Sequence, residues 1–272
     1  MRILITGEHG YIATALAAYL GRFPERYDAR LISVRDFQPD AIDFHGVDAI
    51  VHTAAIVHQK ETKGTQQLYD AVNCDLTVAL AKKANREGVG QFVFFSTMSV
   101  YGMDTGTIRK DTVPVPNTQY GRSKLMAERR IAKLSDDSFT VTILRPPVVF
   151  GPGAKGNPAR LERLAKKLPF CPDFENRRSM VSIETLCEAV KALLDAPRAG
   201  VFFPQEPAPI ATCDLIERAM REQGRTPRRS KLLNPAIRLL RAYTRVGRKA
   251  FGDLVYEDLT AFPLPDGEEG SE

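Results

Sequence analysis

Long apolar runs are missing from this 272-residue chain. Nothing in it approaches the roughly 20 consecutive apolar residues a membrane-spanning helix needs, which excludes a transmembrane protein. The opening MRILITG passes from one Arg straight into a strand-like run, with no apolar h-region and small-residue cleavage site, so no signal peptide is expected. Cysteine is scarce and scattered: Cys74, Cys171, Cys187 and Cys213 form no CxxC pair. That argues against a zinc ribbon or a disulfide scaffold and fits a reducing, cytoplasmic setting. Internal repeats are absent. Acidic residues almost vanish from one stretch: between Arg218 and Lys249 stand 11 Lys/Arg and one acid, Glu222, a local charge of +10. The whole chain carries +5, so the remainder sums to −5. This asymmetry marks a local basic surface and not a chain that binds nucleic acid throughout.

What is present is ordinary globular material. A hydrophobic content of 43% with 26% charged residues argues against a mainly disordered chain. The length allows one large α/β domain, or a core domain with a smaller lobe. Strand-like and helix-like segments alternate, the pattern of a parallel sheet with crossover helices. Strands are predicted at Ile3–Ile5, Ala29–Val34, Ala49–His52, Phe92–Phe95 and Val141–Leu144, the last ended by Pro146-Pro147. Helices are predicted over Tyr11–Leu20, Leu68–Arg86 and Tyr120–Leu134. Between the second and third strands, Arg35 to Asp48 with Pro39 barely reaches crossover length, so a full helix is not expected there. After a Gly/Pro-rich loop at 151–156 come a short basic helix (Ala159–Lys167), a helix over Ile183–Leu194 and a strand at Val201–Phe203. From Ile210 the chain reads as mostly helical and basic, and the polar, acidic tail 263–272 reads as disordered.

Three local patterns carry chemistry. Thr6-Gly7-Glu-His-Gly10-Tyr-Ile-Ala13 puts glycines between a strand and a helix, where backbone can approach a pyrophosphate and the helix N-terminus supplies donors. Its spacing is GxxGxxA, and alone it could be an ordinary turn. Tyr120-Gly-Arg-Ser-Lys124 puts a phenol and an ammonium four residues apart on one helix face. An ammonium beside a phenol lowers its pKa toward a working acid/base range, although such a pair alone is usually coincidence. Phe94-Phe95-Ser96-Thr97 ends an apolar strand in hydroxyls at the edge where open α/β sheets bind ligands, and simple strand capping would look the same.

Taken together and in order, these patterns resemble the extended short-chain dehydrogenase/reductase family, the nucleotide-sugar epimerases, dehydratases and reductases. The likeness is carried by ITGEHGYIA, VDAIVHTAA (47–55), VNCDLTVALAKKANREGVGQFVFFSTMSVYG (72–102), YGRSK, LRPPVVFGPG (144–153) and RSMVSIETLCEAV. It covers about residues 1–205. It implies an α/β fold: a Rossmann-like, doubly wound parallel sheet with a smaller, mostly helical C-terminal substrate lobe. The dinucleotide-binding domain would be 1–150 with 181–205 returning to it, and 151–180 with 206–262 would form the lobe. The resemblance makes Tyr120 the general acid/base, with Lys124 holding the nicotinamide ribose and tuning it. Thr97 would bond the sugar oxygen that is oxidised or reduced. Gly7, Gly10, Tyr11, Ile12, Ala13, Ser33, Arg35, Ala54, Ala55, Ser96, Pro146 and Val148 would border NADP or NAD, and Asn73 would support the core beside it. Met98, Ser99, Asn157, Arg177 and Arg178 would meet the substrate. No metal is implied.

Three departures narrow the reading. Dehydratases of the family follow the Thr with Asp-Glu, whereas Met98-Ser99 stand here, and UDP-sugar decarboxylases usually carry a Glu nearby. The 4-epimerases usually place Asn, which helps hold the diphosphate, where this chain has Val148. No clear Asp ends the second strand: Ser33 and Arg35 lean toward NADP, with Asp36 keeping NAD open. These points favour an NAD(P)-dependent reductase of a nucleotide-activated 4-keto-6-deoxy sugar in surface-polysaccharide biosynthesis. The alternatives are a nucleotide-sugar 4-epimerase and, in another class, a non-catalytic NAD(P)-binding regulator, which would typically have lost Tyr or Lys. A nucleic-acid partner is not expected, and a homodimer is left open.

The basic segment Asn234–Phe251 has its own pattern, with Ile237, Leu240, Tyr243, Val246 and Ala250 recurring between Arg238, Arg241, Arg245, Arg248 and Lys249. Either this is a lobe helix packing its apolar face inward, or residues 234–251 dock to an acidic partner or make a peripheral contact with an anionic membrane at its inner, cytoplasmic face.

Overall fold

The computed structural model describes residues 1–34, 42–57, 62, 64–154, 156–257 and 259. Its strands in chain order are β1 (Arg2–Thr6), β2 (Asp28–Ile32), β3 (Ala49–His52), β4 (Gln91–Phe95), β5 (Gly106–Ile108), β6 (Thr140–Leu144), β7 (Val148–Phe150), β8 (Cys171–Pro172), β9 (Met180–Ser182), β10 (Gly200–Phe202), β11 (Arg229–Ser230) and β12 (Leu254–Tyr256). The helices are α1 (Tyr11–Leu20), α2 (Thr65–Tyr69), α3 (Leu76–Arg86), α4 (Gln119–Ile131), α5 (Asn157–Lys167), α6 (Ile183–Asp195), α7 (Thr212–Glu222), α8 (Asn234–Tyr243) and α9 (Arg245–Phe251).

Six strands form one parallel sheet in the order β10-β6-β4-β3-β1-β2. The chain steps from β1 outward to β2 and then returns to the other side of β1 for β3. Strand order therefore reverses between β1 and β3, the place where open parallel sheets bind ligands beyond their carboxyl ends. The strands alternate between two apolar layers, as a two-residue period requires. Ile50, Phe92 and Phe94 join one layer with Val78, Leu80 and Ile131 from α3 and α4. Ala49, Val51, Val93 and Phe95 join the other with Leu16 and Leu20 of α1 and Leu186 and Val190 of α6. With both faces covered, central strands read as apolar runs, and all five residues of β4 are buried.

The helix predicted from Leu68 begins earlier, at Thr65, and runs to Arg86 through a wide π-type turn at Asp70–Asp75. The described part of the connection before β3, residues 42–48, holds no helix; Arg35, Asp36 and Pro39 lie outside the described residues. So does the tail 263–272.

Beyond the main sheet, short parallel pairs β7/β9, β8/β11 and β5/β12 tie distant segments together. None was expected from sequence, because strands of two or three residues carry almost no periodic signal. The C-terminal helical region has its own apolar cluster, including Phe174, Cys213, Ile216, Met220, Ile237 and Phe251. A fourth cluster joins β12 to the turn after β4 through Met98, Val100, Tyr101, Leu254 and Tyr256. The four cysteines are free and buried, and burial holds each thiol above its ordinary pKa. Among the described residues no helix is long and apolar enough to cross a membrane.

The basic segment is not one helix. Thr244 ends α8 by donating to the Leu240 carbonyl (2.8 Å) and starts α9 by accepting from the Gly247 amide (2.9 Å). A Cβ on Gly247 would lie 2.1 Å from the Leu240 carbonyl oxygen, so the elbow closes only with glycine there.

Candidate active site

The loops that leave β1, β3, β4 and β6 converge on a cleft of about 1030 Å³. Its wall on the β1 side is Gly10, Tyr11 and Ile12, with Thr53, Ala55 and Val57 after β3. Phe95, Ser96, Thr97, Met98 and Ser99 follow β4, and Pro146, Pro147 and Val148 follow β6. Tyr120 and Lys124 reach it from α4, and Arg160, Arg163, Arg178 and Lys249 bring positive charge from the C-terminal region.

The first loop is shaped for close approach. Gly7 has φ +90°, and a Cβ there would meet Thr53 Oγ1 at 3.0 Å and Ala54 Cα at 3.2 Å. Its amide donates to Ile32 O (3.0 Å), which sets Ser33 beside the loop. Gly7, Ser33 and Ala54 thus frame the site, although they do not line the cleft. Gly10 precedes α1 without a side-chain cap, leaving the first-turn amides open to a ligand. The Tyr11 hydroxyl is buried with no hydrogen-bond partner among the described residues. A glycine loop at the strand-order reversal, an uncapped helix start and an orphaned hydroxyl fit the pyrophosphate end of a dinucleotide.

The loop after β3 is clamped. Asn73, in the π turn, accepts from the Ile56 amide (2.9 Å), donates to the Ile56 carbonyl (3.0 Å) and donates to Ser123 Oγ of α4 (3.1 Å). His52 beneath it is fully buried between Thr6 and Thr77, bonded to both hydroxyls at 2.8 and 2.9 Å. Burial, with Lys124 nearby, pushes its pKa down to about 3, so the ring is neutral.

Thr97 and Tyr120 meet at the centre. The Thr97 hydroxyl accepts from the Ser99 amide (3.1 Å), and Thr97 stands near enough to Tyr120 to draw the phenol's pKa down. Thr118 caps α4 through the Gly121 amide (3.0 Å). A Cβ at Gly121 would lie 2.7 Å from Ser99 O, so the residue after Tyr120 must be small for the helix to press against this turn. Tyr69 stands beside Tyr120, ring centroids 6.5 Å apart.

The expected tuning of the phenol by Lys124 is not what this geometry holds. Burial dominates both groups. It pushes Tyr120 up to about 12, with Thr97 pulling the other way and Tyr69 adding to the rise. It pulls Lys124 down to about 7, with Glu128 opposing. The ammonium donates to Phe95 O at 2.8 Å and stands 4.5 Å from the Phe94 ring centroid. In this form the phenol is an acid and the lysine a near-neutral donor held one helical turn away.

Sequence reasoning missed what lies behind the pair. Glu128 continues the helix face of Tyr120 and Lys124 at the next i+4 step, which was the available signal. It is buried and takes Arg145 bidentately, at 3.1 and 2.6 Å. Arg145 also donates to Tyr101 (2.8 Å), and its carbonyl accepts from Tyr256 (2.9 Å). The Ser96 hydroxyl donates to Glu128. Ser96 therefore lines the cleft with its hydroxyl already committed inward, and supports the site instead of presenting that hydroxyl to a cofactor.

Other expected residues separate. Met98, Ser99 and Val148 line the cleft. Arg178 lines it too, buried, with a guanidinium nitrogen donating to Gly252 O at 2.7 Å. Arg177 is exposed and does not line the cleft, because in this extended stretch neighbouring side chains point to opposite sides. Arg35 lies outside the described residues, as does the Asn157 side chain at the start of α5. Arg160, Arg163 and Lys249 were not expected in the cleft. No group of three or more potential metal-ligating His, Cys, Asp or Glu residues exists among the described residues.

Residues 3–202 match the NAD dependent epimerase/dehydratase family. The chain is 32% identical over 240 residues to a UDP-glucose 4-epimerase of Vibrio cholerae, covering 79% of this chain and 73% of that protein. It is 29% identical over 172 residues to an N-acetyl-alpha-D-glucosaminyl-diphospho-ditrans,octacis-undecaprenol 4-epimerase of Escherichia coli O157:H7, covering 61% and 51%. Among solved structures, UDP-glucuronic acid 4-epimerase from Bacillus cereus in complex with NAD superposes with a TM-score of 0.71 at 18% identity, covering 97% of this chain and 92% of that one. With the strand order, the glycine loop and the Tyr120–Lys124 face in place, this chain belongs to the NAD dependent epimerase/dehydratase family and is an enzyme of its nucleotide-sugar epimerase, dehydratase and reductase group.

Proposed function

We propose that the chain is a 4-epimerase of a hexose carried on a diphosphate. The observation that carries this is that Thr97, Tyr120 and Lys124 line the same cleft as the open start of α1. The relatives matched in sequence support C4 as the reacting centre, since two are named as 4-epimerases. Their substrates are named differently, one a nucleotide sugar and one a lipid-linked sugar, and a diphosphate on a hexose is the chemistry common to both.

In this reading the Gly7–Gly10 loop and the first turn of α1 would hold the pyrophosphate of NAD(P), Tyr11 and Ile12 would flank it, and Lys124 would hold the nicotinamide ribose. Bound there, the nicotinamide would supply hydride exchange at C4. Tyr120 takes the C4 hydroxyl proton and later returns it, and Thr97 orients both the phenol and the sugar oxygen. A phenol held high needs its proton released when substrate binds, and Lys124, one turn away and half-titrated near neutrality, is placed to aid it. Arg178, Arg160 and Lys249 face the diphosphate. Ser33, beside the glycine loop, leaves room for either NAD or NADP.

A reductase is the second reading, favoured by Val148 in the cleft where 4-epimerases of this family usually carry Asn. The test is purification followed by assay for bound cofactor, then turnover of UDP-glucose and UDP-N-acetylglucosamine. Interconversion of C4 epimers without net cofactor consumption supports the epimerase. Stoichiometric oxidation of NAD(P)H by a 4-keto sugar supports the reductase instead.

A further inference from the structure

The α8–α9 elbow presents apolar side chains to solvent. Leu232 is 78% exposed, Leu239 62%, Tyr243 80% and Val246 67%. Within α8 only Ile237 is buried, while Leu239, Leu240 and Tyr243 face outward. Of the residues whose spacing suggested an inward face, only Ile237 and Ala250 meet the local core. The bound elbow at Gly247 fixes this presentation, because α8 and α9 cannot rotate apart without breaking the Leu240–Thr244–Gly247 contacts.

The charge along the elbow's own sequence is of one sign. From Gln223 to Gly252 the chain contains no acid and nine Lys/Arg. Lys231 and Arg238 have no carboxylate partner among the described residues. Arg245 and Lys249 share Asp104, at 2.9 and 3.7 Å, Arg241 approaches Asp253 at 3.7 Å, Arg229 pairs with Asp214 and Glu217, and Asp173 and Glu175 line the groove beside Lys231 and Arg238, so the cations of the segment still outnumber the acids around them. Exposed leucines and a tyrosine ringed by arginines match the two halves of an anionic bilayer surface, acyl boundary and phosphate headgroups. A soluble acidic partner would match only the charge.

We infer that the α8–α9 elbow, through Leu232, Leu239, Tyr243 and Val246 with Lys231 and Arg238, is a docking surface for anionic membranes. This goes beyond the enzymatic reading and does not depend on it. Lys249 of α9 also lines the catalytic cleft, so docking would hold the cleft close to the bilayer.

The test uses the full chain and vesicles of phosphatidylcholine with or without phosphatidylglycerol. Flotation should recover the protein with phosphatidylglycerol vesicles at low salt, and recovery should fall steeply as salt rises. Arg238→Gln should weaken partitioning about fivefold, and Leu239→Ser with Tyr243→Ser at least about tenfold. The chain contains no Trp, so Tyr243→Trp adds a single indole whose emission should shift to the blue with anionic vesicles only. Tyr120→Phe should bind vesicles like the wild type, which separates this result from any failure of the catalytic assignment. The inference is overturned by no binding at low salt, by equal binding to neutral vesicles, or by full binding of the double variant. It is equally overturned if the wild type sediments as a dimer that the double variant disperses, since a second copy would then cover the patch.

Discussion

The parallel sheet and the α8–α9 elbow put the same kinds of residue to opposite use. In the sheet, apolar strands vanish between two layers of helix, and charged or titratable groups left inside find partners: Glu128 with Arg145, His52 with two threonines. In the elbow, leucines and a tyrosine stand in solvent, with arginines around them. Interior polarity in the first region braces the strand and helix that carry Thr97 and Tyr120, whereas exterior apolarity in the second contributes little to folding. Perturbing the two should therefore give separable results.

The largest effect should come from the buried ion pair. Glu128→Ala leaves Arg145 charged and unpaired behind the site, and should lower unfolding free energy by about 3–5 kcal/mol in a denaturant titration. Glu128→Gln, which keeps one acceptor, should cost less. A loss near zero would mean that water reaches Arg145 and that the network is not a dry support.

Tyr120→Phe comes next. It should reduce turnover by at least about 100-fold, equivalent to about 2.7 kcal/mol of transition-state stabilisation, with cofactor affinity measured by titration nearly unchanged. A variant of near-normal activity would remove Tyr120 from its role.

The third effect follows pH. His52 has an ordinary pKa near 6.5 when unfolded and about 3 when folded, so between these values the unfolded chain binds the extra proton. Stability should fall as pH drops through this window, by about 1.4 kcal/mol per pH unit from this group. His52→Gln should flatten that part of the pH–stability curve; an unaltered slope would assign it to other groups.

The smallest effect belongs to the elbow. Tyr243→Ser and Leu239→Ser should each change solution stability by no more than about 0.5 kcal/mol in either direction. A loss of several kcal/mol would show that the patch is part of the folded core.

The same contrast explains how much was legible in the chain. Strand-helix alternation, the glycine loop, Thr97, Tyr120 and Lys124 could be read because each depends on residues a few positions apart. The Ser96–Glu128–Arg145–Tyr101 network could not, because it joins four separate segments and only the fold brings them together. Arg177 and Arg178 were indistinguishable because one residue of register decides which enters the cleft. The basic segment reads as one amphipathic helix until the hydrogen bonds of Thr244 and the crowding at Gly247 divide it, and periodicity alone does not say whether an apolar stripe faces inward.

The wide turn at Asp70–Asp75 works as a phase shifter. Downstream of it, α3 turns Val78, Leu80, Ala81 and Ala84 into the core. Upstream, α2 carries Tyr69, whose hydroxyl donates to Val57 O at 3.1 Å and whose ring borders Tyr120. An uninterrupted α-helix advances about 100° per residue, so deleting one residue from the turn would swing everything before it by that angle. Tyr69 would leave the cleft wall while α3 stayed seated. One helix thereby serves two clients set at different angles, and a single-residue deletion here would disturb the active site through rotation, by swinging the buried Tyr69 out of its place beside Tyr120.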